Sequence, residues 1–89
     1  MKKTVRFHDE ARAELVWQAT YYELRAKGFG ERFGNEIEAA IEIASTFPYI
    51  GSPYKYGTRR VFPKKFPFSI VYRILEPEVI VLEIGRAHV

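Results

Sequence analysis

Apolar and polar positions alternate most clearly from Phe66 to Ile74, where Phe66, Phe68, Ile70, Tyr72 and Ile74 fall on one side of an extended backbone and Ser69, Val71 and Arg73 on the other. A period of two predicts a half-buried strand. Thr58 to Phe62 predicts a shorter strand, closed by Pro63, which has no N–H for a ladder and so fits an edge or a strand end. The two form a hairpin around Lys64 and Lys65. Val79 to Ile84 is a nearly continuous aliphatic run and predicts a further strand. For Ile70, Tyr72 and Ile74 to share a face with Ile84, Leu82 and Ile80, the connecting loop is Glu76-Pro77-Glu78. A two-residue loop would set Arg73 opposite Ile80 and mix the faces.

The first half of the chain reads differently. Lys2 to Phe7 predicts a short strand, with Val5 and Phe7 alternating against Thr4 and Arg6. Asp9 offers an N-cap and Glu10 a favourable first-turn charge. Ala11, Leu15, Ala19, Tyr22 and Ala26 then recur at helical spacing, up to a C-terminal stop at Gly28. Trp17 and Tyr21 lie off that stripe and are expected to rim the core. After a tight connection at Phe29-Gly30, the positions Phe33, Ile37, Ala40, Ile41 and Ala44 predict a second helix, with Glu31, Glu38 and Glu42 outside. It stops at Thr46-Phe47-Pro48, because the residue before proline is pushed out of the helical region. Pro48 to Gly57 is a loop in which Tyr49, Tyr54 and Tyr56 surround Lys55. These rings are expected to cover the core; the alternative is stacking on unpaired bases. The expected fold class is α+β, ordered β-α-α-β-β-β, with a two-helix hairpin (αα) on one face of a small antiparallel sheet.

At 89 residues the chain is expected to form one domain, residues 1–89, with a single thin core. It has no cysteine, which excludes disulfides, thiolate metal sites and a thiol nucleophile. No apolar run approaches membrane-span or signal-peptide length, so the chain is expected to be cytoplasmic, without a membrane partner. The net charge is only +3, but its distribution is uneven. Between Glu42 and Glu76 there is no acidic residue, while Lys55, Arg59, Arg60, Lys64, Lys65 and Arg73 all fall inside that window. A face built this way suits an anionic partner, either phosphate or an acidic peptide. No Ser-His-Asp set, carboxylate pair or glycine-rich phosphate loop can be assembled. His8 and His88 lack metal-ligand spacing, so neither metal nor cofactor is expected.

The basic strand, the run Phe-Pro-Phe-Ser-Ile-Val-Tyr-Arg-Ile from Phe66 to Ile74, and the second apolar strand after a short turn together resemble the ParE branch of the RelE/ParE toxins of bacterial type II toxin–antitoxin modules. The likeness extends from Val5 to about Gly85. It implies a toxin, typically of a plasmid stabilisation system, that is neutralised by a cognate antitoxin and inhibits growth by binding DNA gyrase. It also implies that the N-terminal strand pairs near the last part of the sheet, and that homodimers or toxin–antitoxin hetero-oligomers form. The RelE branch implies an alternative, a metal-independent endoribonuclease acting on messenger RNA at the ribosome. Those members carry a catalytic arginine where this chain has Ser69, whereas Arg60 matches a basic position of the preceding strand. The family's usual C-terminal tail does not follow the last strand, leaving Arg86 and His88 as further weak catalytic candidates and a shortened, inactive homologue as another alternative. Antitoxin or target binding is expected at Lys55, Arg59, Arg60, Lys64, Lys65, Arg73 and Arg86. The segment after Gly85 has two readings: a frayed end, or a small anion site made by Arg60, Lys65, Arg86 and His88.

Overall fold

The structure is a computed structural model, which describes residues 2–87. Strand β1 (Thr4–Phe7) leads into helices α1 (Asp9–Arg25) and α2 (Phe29–Thr46), which are followed by strands β2 (Ser52–Pro53), β3 (Arg59–Val61), β4 (Phe68–Leu75) and β5 (Glu78–Arg86). The strands form one sheet in the order β1-β5-β4-β3-β2. The α+β plan expected from the pattern is present, with two differences. A two-residue strand at Ser52–Pro53 extends the edge beside β3, and β1 runs parallel to β5, so the sheet is mixed.

The helices bury their stripes on one face of the sheet. Ala11, Tyr22, Phe33, Ile37 and Ile41 meet Phe68, Ile70, Val81 and Ile84 in one core cluster. Its centre is aromatic: the rings of Tyr22 and Phe33 lie 5.1 Å apart, and those of Phe33 and Phe68 5.0 Å, at tilted or edge-on angles that suit their quadrupoles. Phe66 plugs the end, its centroid 5.1 Å from that of Tyr22.

Two helix boundaries differ from expectation. The N-cap of α1 is His8, whose Nδ1 accepts from the Glu10 N–H at 3.3 Å; Asp9 is already helical and contributes its charge to the first turn. The helix also ends earlier, at Arg25, and Gly28, at φ +85°, starts α2 instead of closing α1. Glu23 caps that second helix, its two carboxylate oxygens accepting from the N–H groups of Gly28 at 2.9 Å and Gly30 at 3.0 Å. A Cβ at Gly30 would run into the Ala19 carbonyl, so glycine here lets the helix backbones touch.

The β4–β5 turn is the two-residue Glu76-Pro77, with Leu75 paired to Glu78 and Arg73 to Ile80, which corrects the expected three-residue loop. Ile80 does come to lie opposite Arg73 on the outer face, but the inner face stays apolar because the register shifts between Val71 and Tyr72. Val71 pairs with Glu83 and Tyr72 with Val81, leaving Leu82 as the extra residue of a bulge. Without it Glu83 would oppose Ile70 in the core. With it Val79, Val81 and Ile84 all point inward and are fully buried, while Glu83 is exposed on the outer face.

Candidate partner-binding face

The outer face of the sheet is bounded by the loop that follows α2. Tyr72 anchors that loop from below: its hydroxyl, fully buried, donates to the Pro48 carbonyl at 2.7 Å and accepts from the Gly51 N–H at 3.0 Å. Burial pushes the Tyr72 hydroxyl above its ordinary pKa, against the opposing pull of the Gly51 hydrogen bond and the nearby Arg59 charge. Gly51 has room for no side chain, since a Cβ would lie 2.9 Å from both the Arg60 carbonyl and the Tyr72 ring. Further along, Tyr56 and Gly57 both take left-handed backbone (φ 56° and 74°), turning the chain into β3.

The loop tyrosines do not cover the core as expected. Tyr49 and Tyr56 are 68% and 88% exposed, and cations lie over the rings of Tyr49 and Tyr54. The Arg59 guanidinium lies 5.0 Å from the Tyr49 centroid and donates from Nη1 to the carbonyls of Gly51 at 2.7 Å and Tyr49 at 3.2 Å. Arg73 donates from Nη2 to the Tyr56 carbonyl at 2.9 Å. These two arginines, expected to bind partners, therefore hold the loop in place.

Arg60 is different. Its guanidinium sits 4.4 Å from the Tyr54 centroid and 5.3 Å from that of Phe62, and makes no ion pair among the described residues. Its buried Nε has no hydrogen-bond partner. A cation positioned by two aromatic faces keeps its charge and its remaining N–H groups for an incoming anion. Arg60 pairs in register with Val71, which pairs with Glu83, so all three project to the outer face. Next to them Tyr54, Lys55, Tyr56, Arg73, Leu82 and Glu83 line a cleft of about 380 Å³. Glu83 is the residue that the charge window missed: the acid-free segment is basic, but its neighbouring strand brings a carboxylate to the same cleft.

The remaining candidates disperse. Lys65, at φ 71°, joins Phe29, Arg32 and Glu36 around a hollow on the helix side, and Lys64 is exposed beside it on the hairpin loop. Arg86 pairs with Phe68 and stacks over its ring at 5.3 Å, which puts it on the opposite face from Arg60. The anion site expected of Arg60, Lys65 and Arg86 is thus not assembled, and its fourth member, His88, lies outside the described residues. Ser69 is buried on the outer face opposite Gly85. No group of three or more metal-ligating side chains gathers among the described residues.

The family model for the ParE toxin of the type II toxin–antitoxin system parDE matches residues 5–88. The chain belongs to the ParE toxin family. Solved structures similar to this ParE-family chain come from toxin–antitoxin complexes. With a chain of the chromosomal ParDE system of Pseudomonas aeruginosa it shares 19% identity at a TM-score of 0.71, over 98% of both chains. With the RelBE2 complex of Mycobacterium tuberculosis it shares 22% at 0.66, over 97% of this chain and 99% of that one. With the intact Escherichia coli RelBE complex it shares 13% at 0.69, over 98% and 99%. At such identities the likeness is one of fold. No curated protein matches the ParE-family chain in sequence. No helix among its described residues is long and apolar enough to cross a membrane.

Proposed function

We propose that this ParE-family toxin is held inactive by a cognate antitoxin and acts by binding DNA gyrase, with Arg60 and its aromatic flanks as the centre of the binding face. The observation that carries this reading is the fixed, ion-pair-free guanidinium of Arg60 on a face where Ser69, closed off against Gly85, fills the place of the ribonuclease arginine. Such a face can grip an acidic surface without breaking a bond. An acidic antitoxin segment laid on the same face would compete with the target, and removing one partner of a desolvated charge pair there costs several kcal/mol of affinity.

The test is supercoiling by purified gyrase. The chain inhibits it, antitoxin relieves the inhibition, and Arg60→Ala weakens both effects at least tenfold. A second reading has one observation in its favour: Glu83 beside Arg73 could serve as a base in metal-free RNA cleavage. Ribosome-dependent messenger cleavage that disappears in both Arg60→Ala and Glu83→Gln, with gyrase unaffected, would replace the first reading with the second.

A further inference from the structure

Helix α1 is apolar on two sides. One side packs Ala11 and Tyr22 into the core, while on the other Val16, Trp17 and Leu24 stand 61%, 62% and 83% exposed along a hollow of about 710 Å³. Three large apolar side chains on a single helix face call for a cover. The order of residues along that face says which cover fits. Glu10, Ala13, Trp17, Thr20 and Leu24 follow one another at spacings of three, four, three and four, the seam geometry of packed helices. The seam is centred on Trp17, with small residues four places before it, at Ala13, and three places after it, at Thr20. Acidic Asp9 and Glu10 occupy the first turn and basic Arg25 the last. Trp17 is also held in place, its ring stacked on that of Tyr21 at 6.0 Å and 8°, with Arg25 capping Tyr21 from 5.1 Å.

We infer that this face pairs with the same face of a second copy, antiparallel, about a two-fold axis at Trp17. In that arrangement Trp17 meets Trp17, and Ala13 of each copy leaves room beside Thr20 and Tyr21 of the other. The acidic first turn of each helix faces Arg25 of its neighbour. A parallel pairing would instead set acid against acid and base against base. Self-complementarity under a two-fold is the requirement of an isologous interface, and this stripe meets it in both size and charge. A single pair of 17-residue helices is a small contact, so the dimer dissociates on dilution.

Trp17 is the only tryptophan of the chain, so it reports on its own burial. In sedimentation equilibrium the average mass rises from 10.4 kDa towards twice that value with concentration, and tryptophan emission shifts to shorter wavelength over the same range. Trp17→Glu remains at the single-chain mass with an unchanged melting profile. Glu10→Lys weakens association at least tenfold, and adding Arg25→Glu to the same chain restores it. A wild-type mass that never rises, or a dimer indifferent to these three variants, overturns the inference. So does an emission shift that occurs only on adding antitoxin, because the face would then belong to that chain.

Discussion

The Gly51 N–H and the Tyr72 hydroxyl meet in a buried hydrogen bond of 3.0 Å, and the same hydroxyl donates onward to the Pro48 carbonyl at 2.7 Å. One side chain thus satisfies two backbone groups of the loop that carries the tyrosines around Arg59 and Arg60. Tyr72→Phe leaves the buried Gly51 N–H and the half-buried Pro48 carbonyl without this partner. The expected loss is about 1–3 kcal/mol of unfolding free energy, read from urea denaturation.

The same hydroxyl gives a pH signature. Its pKa in the folded chain is raised above 10.0, chiefly by burial, so its contribution is fully present below that value. As pH rises through 10.0 towards the folded value the unfolded chain ionises first, and stability falls. Comparing wild type with Tyr72→Phe between neutral pH and strongly alkaline solution isolates this group from the other five tyrosines of the six in the chain. The stability difference between the two is constant below the window and shrinks within it.

Gly51→Ala forces a methyl group against the Tyr72 ring and the Arg60 carbonyl, both 2.9 Å from where its Cβ would lie. Backbone cannot yield as a flexible side chain can, so the cost is about 1–3 kcal/mol. A thermal melt of a domain this size would show it as a drop of several degrees per kcal/mol.

Arg59 and Arg60, adjacent in sequence, are expected to separate in their effects. Arg59→Ala removes two carbonyl hydrogen bonds and lowers stability by about 1 kcal/mol. Arg60→Ala removes none, so its melting temperature remains close to wild type while binding to antitoxin falls. Paired melting and titration calorimetry distinguish the two.

Glu23→Ala deprives the start of α2 of both its carboxylate acceptors. A loss of about 1 kcal/mol is expected from chemical denaturation, typical of an N-terminal cap. Glu23→Gln, which retains one acceptor oxygen, recovers part of it.

Both helices and the β3–β4 hairpin were legible because each rests on an unbroken period. Phe33, Ile37, Ala40, Ile41 and Ala44 form a helical stripe that ends up buried, and the inward residues Phe68, Ile70 and Tyr72 alternate as read. The β4–β5 register was not legible, because parity reasoning assumes that no residue is skipped, and nothing local in Val81-Leu82-Glu83 announces a bulge. The His8 cap was hidden by Asp9, a better capping residue by type that sits one place too late. At the candidate site, charge counting found the arginines but not their division of labour. Which guanidinium is tied to a carbonyl and which rests between rings depends on how the loop folds back, as does the exposure of Tyr49 and Tyr56.

Strand β5, the last to be synthesised, lies between β1 and β4, and its parallel partner β1 is the first. On the ribosome β1 therefore waits unpaired through the making of both helices and the hairpin, while the apolar side of α1 has only α2 to rest on. The sheet closes when Glu78 to Arg86 slots into the gap between β1 and β4. Until β5 has emerged, neither β1 nor that edge of β4 has its ladder partner, so the complete outer face cannot form.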